Sequence, residues 1–237
     1  MKVAFCLSGM PRNIENSYQW LKDSVLSVLD IHDCKYDFFI STWNQNLQKE
    51  GDKSVTTYKS DINDFIKYFH PVKFETEDWD DNIKNQLRWP EFEKCKFEIE
   101  PRSSALGQFY KITKCNHLRL AHEKEHNIKY DAIFRIRTEI RYNNKLDFKE
   151  LEILRDNKQP IIFLRRGPNP QHVFWFKDTF AFGNDAGMNI YCDISNHAVD
   201  IAKSTRVSTA ELILRNWIST TEALVEHTSL DYTLIRN

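Results

Sequence analysis

The sequence predicts a single α/β domain, and three observations predict it. Short apolar runs of β character alternate with longer segments whose apolar residues recur at helical spacing. The first three segments read strand, helix, strand, the order that builds a parallel pair with a right-handed crossover. The 237 residues carry no internal repeat, low-complexity stretch or Pro/Gly-rich linker, so 1–237 reads as one domain.

The elements follow in order. Lys2–Leu7 is a nearly continuous apolar run, a buried strand. Arg12 to Leu29 reads as a helix, with Trp20, Leu21, Val25, Val28 and Leu29 at steps near 3.6. Tyr36–Thr42 is a second strand. Leu47 to Ser60 is polar and reads as loop. Ile62–Phe69 is a short helix stopped by His70-Pro71, and Val72–Glu75 is a strand. Glu77 to Glu93 is acidic, bears tryptophans and lacks a period, so it reads as irregular or as a lid. Ser103 to Glu125 is a long helix with Leu106, Phe109, Tyr110, Thr113, His117, Leu118 and Ala121 along one face. Strands are predicted at Tyr130–Arg135, Ile161–Leu164 and Thr179–Phe182, helices at Asp185–Asp193 and Thr209–Ile218, and a last strand at Tyr232–Ile235.

Composition excludes several function classes. Only six glycines occur, and neither G-x-G-x-x-G nor G-x-x-x-x-G-K-[ST] can be written from them, which removes the dinucleotide fingerprint and the P-loop. Basic and acidic residues number 33 and 34, so there is no bulk attraction to nucleic acid or to an anionic membrane. The apolar run at the N-terminus is too short for a signal peptide, and no stretch is long and apolar enough to span a membrane. Five scattered cysteines without a C-x-x-C read as reduced thiols of a cytoplasmic protein.

Five constellations carry candidate chemistry. His122-Glu123-Lys124-Glu125-His126 matches the zinc-hydrolase pattern H-E-x-x-H. It sits at the polar end of its helix with no third ligand signalled, and the alternative is a solvated helix end. Tyr130 to Glu139 delivers Arg135, Arg137 and Glu139 at the carboxyl end of a strand, on one face if the strand stays regular. Ligands of open α/β sheets bind outside those ends. Two arginines beside a carboxylate suit a metal-bound diphosphate, and the alternative is a charged strand edge closed by an Arg–Glu salt bridge. Ser8-Gly9-Met10-Pro11-Arg12 follows the first strand, where a glycine, a helix start and a cation can meet a phosphate, or can form an ordinary turn. Asp178, beside an aromatic strand, can serve as a general base or cap a turn. Glu211, early in an apolar helix, can act chemically or complement the helix dipole.

Taken in order, S-G-x-x-R, Y-D-F-F-I-S-T-W, G-Q-F-Y-K-I, Y-D-x-I-x-R-x-R-T-E and D-T-F-A-F-G resemble the small glycosyltransferases of polysaccharide and lipopolysaccharide synthesis, also found in large DNA viruses. The resemblance runs from Val3 to about Ile235. It implies a GT-A-like fold, a mostly parallel central sheet flanked by helices. The reaction implied is transfer from a nucleotide-diphosphate sugar to a glycan or a glycoprotein- or lipid-linked hydroxyl, with Mn²⁺ or Mg²⁺, in the cytoplasm of a bacterium or a virus-infected cell. Ser8, Gly9, Arg12 and Gln108 match donor-binding positions, Gln108 and Tyr110 lying on the helix before the central strand, and Arg135 and Arg137 would lie near the diphosphate. Glu139 stands at the metal position, where the family carries an aspartate one methylene shorter. Asp178 matches the acidic residue near the acceptor side and Glu211 an acidic residue that opens the late helix, and the resemblance leaves open which of the two is the catalytic base. Two other functions compete. One is a zinc hydrolase on His122, Glu123 and His126. The other is a non-catalytic binding domain, suggested by Glu139 and by Trp79, Trp89 and Trp175, which the sequence presents as exposed.

Overall fold

The computed structural model describes residues 1–44, 62–95, 97, 104–166 and 176–235. A seven-stranded sheet has the order β3-β2-β1-β4-β7-β6-β8. Its strands are β1 (Lys2–Gly9), β2 (Lys35–Trp43), β3 (Lys73–Glu77), β4 (Ala132–Ile136), β6 (Ile161–Arg166), β7 (Phe176–Gly183) and β8 (Leu224–His227). All neighbours pair in parallel except β7, which runs antiparallel to β4 and to β6. The α/β class and the mostly parallel sheet thus stand as expected. The last predicted strand, β9 (Tyr232–Leu234), lies outside the central sheet and pairs with β5 (Ile140–Tyr142) in a separate antiparallel ribbon.

The pleat sorts the side chains. On β1, Val3, Phe5 and Leu7 enter one core while Ala4 and Cys6 enter the other. The first core is aromatic: Phe134 stacks on Phe182 at 4.8 Å and Phe182 on Phe163 at 4.9 Å. It is covered by α1 (Ile14–Leu21), α2 (Ser27–Ile31), α3 (Asn63–Phe69) and α7 (Phe148–Asp156). The second core lies under α4 (Asp81–Gln86), α5 (Trp89–Glu93), α6 (Ser104–His126), α8 (Asp185–Cys192), α9 (Ile194–Thr205) and α10 (Ala210–Ile218).

Three local differences have physical causes. The first predicted helix contains a π-turn, Lys22–Leu26, between α1 and α2, where the Ser24 carbonyl accepts from the Leu146 amide at 3.0 Å. Residues 77–93, expected to be irregular, hold α4 and α5. Asp80 caps α4 through the Ile83 amide, and Pro90 lies in the first turn of α5 after Arg88 at φ 55°. Trp79 is half-buried, edge-on to both Trp43 and Trp89, so neither it nor Trp89 is a free surface ring. Trp175 and the predicted loop 47–60 lie outside the described residues. All five cysteines are free.

The topology fixes where a ligand would enter. The chain steps from β1 to β2 to β3 toward one edge, then returns through α6 to β4 on the other side of β1. The order reverses between β1 and β4, and the crevice outside their carboxyl ends is the topological switch point.

Candidate functional site

The switch-point crevice is built from two turns. After β1, Gly9 takes φ 123°, and a side chain at that position would meet nothing within 4 Å. Only glycine adopts that backbone without strain, and its bare side is open. After β4, residues 137–139 turn away from the sheet, although the Arg137 amide still pairs with the Thr179 carbonyl at 3.2 Å. The two turns are tied together. The Thr138 hydroxyl donates to the Met10 carbonyl at 2.8 Å and accepts from the Arg12 amide at 3.4 Å, while Thr42 Oγ1 donates to the Gly9 carbonyl at 2.8 Å.

Glu139 is 1% exposed. Arg137 holds it with a two-pronged contact, Nη2 to Oε1 at 2.6 Å and Nε to Oε2 at 3.2 Å, and Arg12 Nη1 reaches the same Oε1 at 3.4 Å. The salt-bridged alternative is therefore present, made by a turn folding Glu139 back on Arg137 rather than by a regular strand. Burial raises the carboxyl pKa, but Arg137 and Arg12 outweigh it and the net shift is downward. Burial opposes the charge of Arg137, and Glu139, Asp178 and Glu211 together overcome it.

Gln108, on the second turn of α6, joins the arginine to the other acid. Its Oε1 accepts from Arg137 Nη1 at 3.2 Å, and its Nε2 donates to the Asp178 carboxylate and, at 3.2 Å, to the Asp178 carbonyl. Asp178 is buried as the third residue of β7, so it caps no turn. Arg135 Nη1 also donates to the Asp178 carbonyl. Arg135 is fully buried with Nε and Nη2 unpartnered, so it lies beneath the crevice rather than in contact with a ligand there. Ser8 is likewise buried, its hydroxyl without a partner. Glu211 opens α10, half-buried and close enough to act on Arg137. The structure thus gathers Gly9, Arg12, Gln108, Arg137, Glu139, Asp178 and Glu211, with Ser8 and Arg135 supporting from below.

Beside this group is a polar cavity of about 360 Å³ at the carboxyl ends of β2 and β3, lined by Asn44, Thr76, Glu77, Asp78, Asp80 and Tyr110, among others. Sequence reasoning missed its anchor. Lys111 is fully buried, 2.6 Å from Glu77 and 4.3 Å from the Trp43 ring centre. Burial lowers its pKa against the pull of Glu77, and burial plus Glu77 raise that of Tyr110. The lysine stood in the G-Q-F-Y-K-I segment, and a lysine on an apolar helix face was the available signal.

Glu139 does not fit the role of a divalent-cation ligand. Both oxygens face guanidinium nitrogens, and a doubly charged ion at ~4 Å from one guanidinium meets about 8 kcal/mol of repulsion at an effective dielectric of ~20. Among the described residues, the one group of three acidic, His or Cys side chains close enough to share an ion is His122, Glu125 and His126. It lies at the opposite end of α6, where the starts of the parallel strands meet: His122 is edge-on to Phe39 and within the field of Lys2, Asp37 and Lys73. The two histidines share a helix face as the motif predicts. Its glutamate does not join them. Glu123 is buried against Arg119, Lys129 and the Tyr130 amide, so the hydrolase reading loses its base. Gly183, at the end of β7, is at this same end, and a Cβ there would overlap the Ile161 carbonyl oxygen. Its smallness serves packing.

No family model matches the chain, and no curated protein matches it in sequence. Among the described residues no helix is long and apolar enough to cross a membrane.

Proposed function

We propose that the protein is a glycosyltransferase of GT-A type that moves a sugar from a nucleotide-diphosphate sugar to a hydroxyl of a glycan or a protein- or lipid-linked glycan. One observation carries the reading: Arg12, Arg137, Gln108, Asp178 and Glu211 converge at the switch-point crevice, where the topology favours ligand entry. Arg12 and Arg137 supply fixed positive charge for a diphosphate leaving group, and that charge matters most as negative charge develops on the departing oxygen. Asp178, fixed by Gln108 at its carboxylate and by Arg135 at its carbonyl, is positioned to orient or deprotonate an acceptor hydroxyl. Glu211 is the second acid near the same arginine. The polar cavity beside the crevice has room for the rest of a donor.

Calorimetry with a panel of nucleotide sugars, with and without Mn²⁺, tests the reading. Binding of at least one donor is expected, with turnover falling about 10²–10⁴-fold in Asp178→Asn if this acid is the base. No binding of any nucleotide sugar under either condition would refute it.

A further inference from the structure

Resting on that transferase reading, the charges of the crevice point to donor binding without a divalent cation. We infer that Glu139 is a stand-in anion: its carboxylate occupies the guanidinium groups of Arg12 and Arg137 until the donor's diphosphate takes them over.

Four observations carry this. Arg137 grips Glu139 through Nη2 and Nε, the fork that fits a phosphate as well as a carboxylate. Arg12 makes the longer contact, 3.4 Å, and its side chain is 36% exposed against 2% for that of Glu139. Arg12 is therefore the arm free to turn outward. The backbones that carry the two groups stay tied through Thr138 to Met10 and Arg12, so side chains can exchange partners while the turns keep their place. Finally, among the described residues no two further Asp, Glu, His or Cys side chains lie close enough to Glu139 to share an ion with it. The one three-ligand group among the described residues is His122, Glu125 and His126, at the far end of α6.

The two possible roles of Glu139 predict opposite signs. A metal ligand, once neutralised, loses affinity for the metal and with it the diphosphate. A competing anion, once neutralised, releases two guanidiniums and strengthens diphosphate binding.

The experiment titrates UDP, GDP, ADP and TDP into the purified chain by calorimetry, first in EDTA and then with Mn²⁺. Wild type, Glu139→Gln and Arg12→Ala are compared, with thermal unfolding of each as the folding control. The expected result is binding of one diphosphate with the same affinity in both buffers, tighter by about tenfold in Glu139→Gln and weaker by about tenfold or more in Arg12→Ala. Should Glu139→Gln fail to fold, the wild-type comparison between EDTA and Mn²⁺ decides. Wild-type binding that requires Mn²⁺, or that weakens in a folded Glu139→Gln, overturns the inference while leaving the transferase reading in place. No diphosphate binding in either buffer removes both.

Discussion

Among the described residues two arginines are fully buried, and they are treated oppositely. Arg119, in the C-terminal half of α6, bonds Asn116 through Nε, Glu123 and Asp185 through Nη1, each at 2.8–2.9 Å, and Asn189 through Nη2 at 2.5 Å. Arg135, on β4, has only the Asp178 carbonyl, with Nε and Nη2 unpartnered. An unsatisfied buried donor costs about 1–3 kcal/mol. Around Arg119, where α6, α8 and the start of β4 meet, the fold avoids that cost. Beneath the crevice it accepts it. Arg119 is part of the architecture, whereas Arg135 keeps charge and a backbone anchor close to Asp178 at the expense of stability.

The largest expected effect follows from the satisfied arginine. Arg119→Met leaves Glu123, 3% exposed, with one fewer charged partner deep in the fold. Removing one partner of a buried ion pair costs about 3–5 kcal/mol, so the midpoint of urea unfolding should fall sharply. Arg135→Met should behave differently, because no carboxylate loses a partner. Replacing a poorly paired buried charge with an apolar side chain of similar length relieves its desolvation cost, so stability should hold or rise. Turnover of the Arg135 variant should fall nonetheless, with kcat affected and donor KM preserved, since Asp178 loses its anchor rather than the donor its contact. If the two variants lose similar stability, the contrast between the ends is wrong.

Glycine sharpens the same comparison at a smaller scale. Gly183→Ala forces a methyl group against the Ile161 carbonyl and should cost about 1–3 kcal/mol. Gly9→Ala meets no atom but must hold φ 123°, a strain of about the same 1–3 kcal/mol. The distinction is functional: only the Gly9 change lies on the crevice and should weaken nucleoside diphosphate binding, measured by calorimetry on both folded variants.

What the sequence made legible differs between the two ends for the same reasons. Strands β1, β2 and β4 and helix α6 announce themselves by apolar runs and periodicity, and Gly9, Arg12, Arg137 and Glu139 were found because they lie at or just after strand ends. Helices α4 and α5 escaped because one or two turns are too short to show a period, and the cap Asp80 and the first-turn Pro90 carry the signal instead. α7 and α9 were overlooked although Ile194, Ala198, Val199 and Ala202 fall at helical spacing. β9 was found but not its place outside the central sheet, since a local run does not name its partner. Within the site, the motif order could not tell Arg135 from Arg137. A spacing of two places both on one strand face, and only the end of β4 at Ile136 decides which one is sealed and which one reaches the crevice. The same limit applies to Glu123, whose neighbours in the H-E-x-x-H motif concealed its pairing with Arg119.

The smallest effect concerns pH around Arg119. Burial raises the Asp185 carboxyl pKa, but Arg119 and Lys129 more than reverse this, and the net shift is downward. A carboxyl depressed in the folded state adds stability above its unfolded pKa and loses it as pH falls through the folded one. Asp185→Asn keeps an acceptor for Arg119 but removes the charge, so at neutral pH it should cost about 1 kcal/mol or less for this partly exposed group. The difference from wild type should shrink steadily as pH drops below the carboxylate range. Arg119 keeps Glu123, Asn116 and Asn189, which is why the variant should fold and the effect stay small. A difference that grows on acidification would mean that Asp185 is held protonated, and the surroundings of Arg119 would then be less fully paired than their geometry requires.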